Sequence, residues 1–217
     1  MERRKEKKMG RILLVGDKKK PRYHSLVEIT PFIQRLKQFY EVVVSEDYPQ
    51  ICKEELSGFD LVLNYIDNWE ERGNKEAEQA LYEYFIEGGR ILTLHGGIIL
   101  KQSDKLLGLH GATFKGHEEY DLLTYTKSEK EHPITKGMES FSIHDEPYEF
   151  DFFPDKELDI FLSYTLNDKV YPAGWTSKDG EGRLVYFAFG HSESTFVENA
   201  VQELVLKGIE WLLKIEE

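Results

Sequence analysis

The sequence predicts a single α/β domain in three layers, with a mostly parallel sheet and helices on both faces. Three observations carry this. Short, continuous apolar runs occur at Arg11–Gly16, Phe59–Tyr65, Arg90–Leu94 and Arg183–Phe189. Helically spaced apolar positions alternate with the first three of them, and the connections are short. Uniformly apolar strands are buried on both faces, and β-α alternation is the pattern of a parallel sheet.

The elements follow in order. Arg11–Gly16 opens the sheet and leads into a polar loop, Asp17 to Ser25. Leu26, Ile29, Ile33 and Leu36 mark a helix over 26–39 with Pro31 near its first turn, where a missing N–H costs nothing. Glu41–Val44 is β-branched and reads as the second strand. Lys53–Leu56 reads as a helical turn stopped by Ser57-Gly58, before the strand 59–65. Residues 74–87 form an amphipathic helix closed by Gly88-Gly89. The strand 90–94 then runs into His95-Gly96-Gly97.

Beyond residue 97 the rhythm changes. Ile98–Leu107 reads as a helix, and Tyr120–Tyr125 alternates like an extra strand. His132–Phe153, rich in Pro, acids and aromatics, reads as functional loops and short strands. Leu158–Tyr164 is a strand, Pro172–Trp175 a short one, and Arg183–Phe189 a buried one ending at Gly190-His191. Ser192 and Ser194 are N-cap candidates for a last helix through Val197, Val201, Leu204, Val205, Ile209 and Leu212. Residues 1–9 read as a disordered basic tail and 10–217 as one domain.

Composition narrows the function. The 217 residues carry 28 basic and 40 acidic side chains, a net charge of −12. That disfavours nucleic acid and anionic membranes as partners, since both need a basic footprint. A neutral sugar, a metabolite or a cation suits the field better. The single cysteine, Cys52, precludes an internal disulfide and is far from any strand-end turn. That suits a reducing cytoplasm. No run approaches the ~20 apolar residues of a membrane span.

The candidate chemistry lies at the strand ends, where open parallel sheets bind ligands. A glycine-rich turn after a strand pushes its first side chain out above the sheet. Esterases place Ser there and glutamine amidotransferases place Cys; here the residue is His95. His191 stands at a second such end, His24 on the loop after the first strand, and His117 on the segment following the elbow helix. These four can converge on one crevice. Asp145 or Glu146 can orient a histidine, bind a metal or accept sugar hydroxyls, and Tyr148 can bond or stack on a substrate. His110, His132 and Trp175 read as structural. No Walker loop, dinucleotide fingerprint or HExxH motif occurs.

The ordered set of His24, Leu94-His95-Gly96-Gly97, Phe114-x-x-His117, His132-Pro133-Ile134, Asp145-Glu146-x-Tyr148, Gly182-Arg183 and Gly190-His191 resembles the trehalose-utilisation (ThuA-like) family. The resemblance covers residues 11–215. It implies a flavodoxin-like sandwich of the class I glutamine amidotransferase-like fold, without that fold's Cys-His-Glu triad, so no glutaminase activity is expected. It also implies a role in catabolism of disaccharides such as trehalose, or of oxidised (keto) sugars. The basic Lys18-Lys19-Lys20-Pro21 is a departure in the first loop.

The expectation is a carbohydrate-processing enzyme of hydrolase or isomerase type. His95, His191, His117 and Glu146 are its catalytic candidates, and His24, Tyr148, Asp145, Gly96 and Gly97 line the substrate. Neutral imidazoles can move protons beside a sugar carbonyl or glycosidic oxygen. His24, His95, His117 and His191 can instead hold Zn²⁺ or another divalent ion. The alternative is a non-catalytic sugar- or metal-binding regulatory module with the same pocket. Either form can be a homo-oligomer.

Overall fold

A computed structural model describes residues 9–18, 23–46, 56–66, 75–99 and 103–214. The first eight residues, Lys19–Pro21, Cys52 and the turn proposed from Lys53 lie outside the described residues, except for Leu56. The first half runs as expected: β1 (Arg11–Gly16), α1 (Thr30–Phe39), β2 (Glu41–Ser45), β3 (Leu61–Tyr65), α2 (Lys75–Ile86) and β4 (Arg90–Leu94). Pro31 falls in the first turn of α1. At the end of α2 the Gly89 N–H returns to Tyr84 O at 2.8 Å. A Cβ on Gly89 would lie 2.4 Å from that oxygen, so this closure requires glycine.

The second half is richer in strands than its sequence suggests. A 3₁₀ turn (His95–Ile98) precedes α3 (Asp104–His110), followed by β5 (Ala112–His117), β6 (Asp121–Lys127), β7 (Phe141–Asp145) and β8 (Tyr148–Phe152). Then come β9 (Asp159–Leu166), β10 (Lys169–Asp179), β11 (Gly182–Phe187), α4 (Glu193–Val197) and α5 (Asn199–Leu213). The helix expected over 98–107 is therefore α3, which starts at Asp104 because Ser103 caps it by accepting the Leu106 N–H at 3.4 Å. β10 far exceeds the expected 172–175: register shifts around Gly174 let Pro172 and Gly174 sit inside a long strand. The last helix is broken at Glu198, whose extended backbone separates α4 from α5.

One nine-stranded sheet has the order β2-β1-β3-β4-β11-β10-β9-β6-β7, and β5 pairs with β8 as a separate two-stranded sheet. From β2 to β11 the pairings are parallel. From β11 to β7 they are antiparallel. The sheet is thus mixed: a parallel half as the β-α rhythm predicts, extended by an antiparallel half built from hairpins.

Side-chain alternation along β11 places the helix layers. Phe187 meets α5 at Gly208, where a Cβ would stand 3.1 Å from its ring. Tyr186, on the other face, lies edge-on to His110 of α3 at 6.4 Å. Gly182, on the Tyr186 face, abuts Phe85 of α2. α5 therefore covers one face, while α2 and α3 cover the other. Leu14, Leu63, Leu92 and Phe187 are fully buried between these layers.

His110 is a polar tie within this core. Its Nδ1 donates to Leu106 O at 2.7 Å, and its Nε2 faces Thr93 Oγ1 at 3.0 Å. Its carbonyl accepts from Trp175 Nε1 at 2.8 Å. A carbonyl only accepts, so the proton sits on Nδ1 and Nε2 accepts from the Thr93 hydroxyl. Burial lowers its pKa from 6.5 to about 4, the bond to Leu106 opposing that shift. As pH falls through 6.5 the unfolded chain takes up this proton while the folded one does not. Stability present at neutral pH is therefore lost between pH 6.5 and 4, by on the order of 3 kcal/mol for this group. His110→Leu should be less stable by roughly 1–3 kcal/mol at pH 7, where it strands its two partners. It should also flatten the acid limb, which denaturant unfolding of both proteins at pH 7 and pH 4.5 would measure; an unchanged limb would remove His110 as its cause.

Candidate active site

The segments that follow four strands of the large sheet, β1, β4, β7 and β11, and the end of β5 in the small sheet supply the site. β4 ends at Leu94, and His95 turns at once into the 3₁₀ segment with φ 45°, the left-handed region. A residue with a side chain occupies that region at a cost of order 1 kcal/mol, so its surroundings must hold it there. The Nδ1 of His95 donates to Ala188 O at 2.6 Å, and its carbonyl accepts from Tyr186 OH at 3.2 Å. Gly190, with φ 134°, lies against it; a Cβ there would stand 3.1 Å from His95 Cβ.

His191 follows Gly190 beyond β11. His24, in the segment after β1, donates from Nδ1 to His191 O at 3.2 Å. Its ring is edge-on to His95 at 4.5 Å and to His191 at 5.0 Å. His117 ends β5, and its Nδ1 donates to Glu118 O at 2.7 Å. These three carbonyl bonds put the proton of His24, His95 and His117 on Nδ1 and aim each Nε2 inward.

All four rings face one carboxylate, Glu146, between β7 and β8. Its Oε2 lies 3.2 Å from His95 Nε2 and 4.0 Å from His24 Nε2. Its Oε1 lies 3.1 Å from His191 Nδ1 and 3.8 Å from His117 Nε2. His191 Nδ1 is buried beside that oxygen and makes no well-formed hydrogen bond. One donor atom each from His24, His95, Glu146 and His191 lies within 4.8 Å of the others. Glu146 thus stands in the four-donor set where the sequence reading had His117, whose half-exposed ring is on the outer side.

The electrostatics follow from that crowding. Burial, aided by the neighbouring His95 ring, lowers the pKa of His24 to about 3 and keeps it neutral. Burial alone would push the Glu146 carboxyl up, but the His191 and His95 rings overcome it and hold it below the ordinary range. The same carboxylate raises the pKa of His191. With its Nδ1–H on Ala188 O, the His95 ring needs a further proton on Nε2 to bond Glu146 at 3.2 Å. Two acceptors at that separation repel unless a proton or a cation lies between them.

The remaining sequence candidates support this cluster from behind. Asp145 is fully buried, and both its oxygens are taken by the protein. Oδ1 accepts from the N–H of Glu146 at 2.8 Å and of His191 at 3.2 Å. Oδ2 accepts from the N–H of Gly190 at 2.9 Å and from Thr195 Oγ1 at 3.0 Å. Asp145 holds the site together and has no exposed surface.

Tyr148 is buried too, stacked on His95 at 4.1 Å. Gly97 O accepts from Asn64 Nδ2 at 3.2 Å, and a Cβ at Gly97 would meet Thr93 at 2.8 Å. Gly96 O accepts the Ile99 N–H at 2.9 Å within the 3₁₀ turn. His132 accepts the Ile134 N–H at 3.2 Å in its own turn, and Trp175 is a core residue. Two supports escaped sequence reading: Tyr186 on His95, and Tyr65, whose hydroxyl donates to Gly190 O at 2.8 Å. Both look like ordinary strand aromatics. A cavity of about 530 Å³ lined by Met9, Phe59, Asp60, Tyr84 and Arg90 includes the residue that opens β4, at the end opposite His95.

Fold and site together define a class: an amidotransferase-like α/β sandwich whose elbow carries histidine in place of a nucleophile. The chain belongs to the ThuA (trehalose utilisation) family, whose model it matches over residues 11–212. It is similar in fold to a protein described as ThuA-like from Bacteroides uniformis, with TM-score 0.79 and 18% identity over 97% of this chain and 94% of that one. A second protein so described, from Parabacteroides merdae, gives TM-score 0.74 and 16% identity over 94% and 90%. A protein described as cytoplasmic from Salmonella typhimurium gives 0.68 and 13% over 92% and 98%. No curated protein matched the chain. Among the described residues no helix is long and apolar enough to cross a membrane.

The role of Asp145 is directly testable. Asp145→Asn places an N–H₂ group among four donors, so unfolding stability should fall by roughly 2–3 kcal/mol. Denaturant titration would measure this, and an unchanged midpoint would show that the 190–195 segment is held by other contacts.

Proposed function

We propose that the protein is a carbohydrate-processing enzyme of disaccharide breakdown, acting on a disaccharide or an oxidised (keto) sugar at the Glu146 cluster. One observation carries this reading: His24 and His95 commit Nδ1 to backbone carbonyls and turn Nε2 toward a single buried carboxylate. Fixing one ring nitrogen with a carbonyl is how metal-ligating histidines are oriented. His191 Nδ1, buried beside the same carboxylate without a hydrogen bond, completes a set of three imidazoles and one carboxylate. That donor set suits a divalent first-row ion such as Zn²⁺.

When bound, the ion would polarise a sugar carbonyl or activate a water. The chain's own residues then divide the work. His24, His95, His191 and Glu146 hold the ion. His117, half-exposed at 38% with Nε2 3.8 Å from Glu146, is placed to carry a proton between substrate and solvent. Tyr148, stacked on both His95 and His117, keeps water from the inner wall. The family's description, trehalose utilisation, supports a sugar as substrate. With no Cys at the elbow, glutaminase activity is not expected.

Elemental analysis of the purified protein should find close to one divalent metal per chain, removed by chelator together with turnover on a panel of disaccharides and keto-sugars. Glu146→Gln and His95→Ala should both lose the metal. His117→Ala should keep it while turnover falls by roughly 10²-fold or more. Turnover without metal and insensitive to chelator would replace the ion by imidazole acid–base chemistry at the same residues. Ligand binding with no turnover on the whole panel would leave a non-catalytic sugar-binding module.

A further inference from the structure

Outward from Glu146, the next ring beyond His191 is Tyr120, in the connection between β5 and β6. It is a large aromatic left 44% exposed, its ring 5.2 Å from that of His191. His144 on β7 stacks on it at 6.1 Å with 26° between the planes, which fixes the ring's orientation. Its hydroxyl lies 3.5 Å from Ser192 Oγ and from Ser194 Oγ. Those two hydroxyls bond each other at 2.7 Å.

An aromatic face bordered by three hydroxyls has the character of a pyranose-binding surface, and the carboxylates of Glu28 and Glu193 beside the serines suit sugar hydroxyls as donors. A sugar ring offers an apolar C–H face to stack and an edge of hydroxyls to bond. Three hydroxyls, each able to donate and accept, can match that edge in either sense. A monosaccharide reacting at Glu146 would reach His191 and leave Tyr120 uncovered. A second ring joined to it would lie over Tyr120.

We propose that Tyr120, Ser192 and Ser194 form a subsite for the second sugar ring of a disaccharide, so that the site selects disaccharides over monosaccharides. This rests on the carbohydrate reading of the Glu146 cluster. Calorimetric titration with trehalose, maltose, sucrose and glucose tests it, using the wild type, Tyr120→Ala, Tyr120→Phe and the pair Ser192→Ala with Ser194→Ala.

The wild type should bind at least one disaccharide more tightly than glucose. Tyr120→Ala should weaken that disaccharide roughly 3- to 10-fold, leave glucose within about 2-fold, and Tyr120→Phe should retain most of the affinity. Disaccharide affinity unchanged in Tyr120→Ala, or an equal loss for glucose, would overturn the subsite while leaving the carbohydrate reading intact. A wild type that binds none of the four sugars would overturn both. Should Tyr120→Ala lose its thermal unfolding transition, Tyr120→Phe and the double serine variant decide: disaccharide affinity unchanged in the serine pair would overturn the hydroxyl edge.

Discussion

The site depends on one fully buried carboxylate. Asp145, at the last position of β7, accepts from the backbone of Glu146, Gly190 and His191 and from the Thr195 hydroxyl. β7 is the far edge of the sheet, four pairings away from β11. Asp145 therefore joins the end of an antiparallel edge strand to the segment that leaves a central parallel one. It fixes at once the carboxylate at the centre of the site and one of the imidazoles around it. A buried acid with only partial partners would be costly; with four donors it is satisfied and rigid.

From that anchor the chemistry follows by exclusion. Glu146 is only partly covered, yet four imidazole rings face it, and a neutral ring has one N–H, which His24, His95 and His117 each donate to a backbone carbonyl. Each Nδ1 bonded to a carbonyl is a donor, so each inward Nε2 is a lone pair unless the ring is charged. Burial keeps His24 neutral. The interior of the cluster thus gathers lone pairs and a negative charge. It is favourable only with a proton or a cation at its centre, which is the physical basis for reading it as a reactive or metal-holding site and not as a structural ion pair.

Much of the fold was legible, and the exceptions have causes. The parallel half could be read because strands buried on both faces must be apolar throughout: β3 is buried along its whole length. β5 and β8 could not, since their half-exposed residues and the register shift between Phe114 and Gly116 blur any period. β10 hid behind Pro172 and Gly174, which a bulge accommodates. Within the site, His24, His95, His117 and His191 were found because glycines and strand ends mark such positions. The different roles of Asp145 and Glu146 were not legible. Alternation along β7 turns Asp145 inward with Ile143, while Glu146 lies just past the strand and is free to face the rings. Tyr120 carried no signal, because an exposed tyrosine before a strand looks like any other.

His95 shows why replacing a nucleophile at an elbow need not disable it. The left-handed turn aims whatever side chain follows β4 over the sheet edge, and a serine or cysteine there would present one reactive atom. Imidazole has two, and the backbone uses the first: Ala188 O holds Nδ1, and Tyr148 stacks on the ring. The second is thereby fixed in direction as well as position, with Glu146 in front of it. The strain that an elbow uses to expose a nucleophile here orients an imidazole nitrogen instead. Because the same segment places Gly190 against His95 and His191 beside Glu146, the two glycine-marked strand ends act as one device. Altering the backbone at either would misdirect both rings.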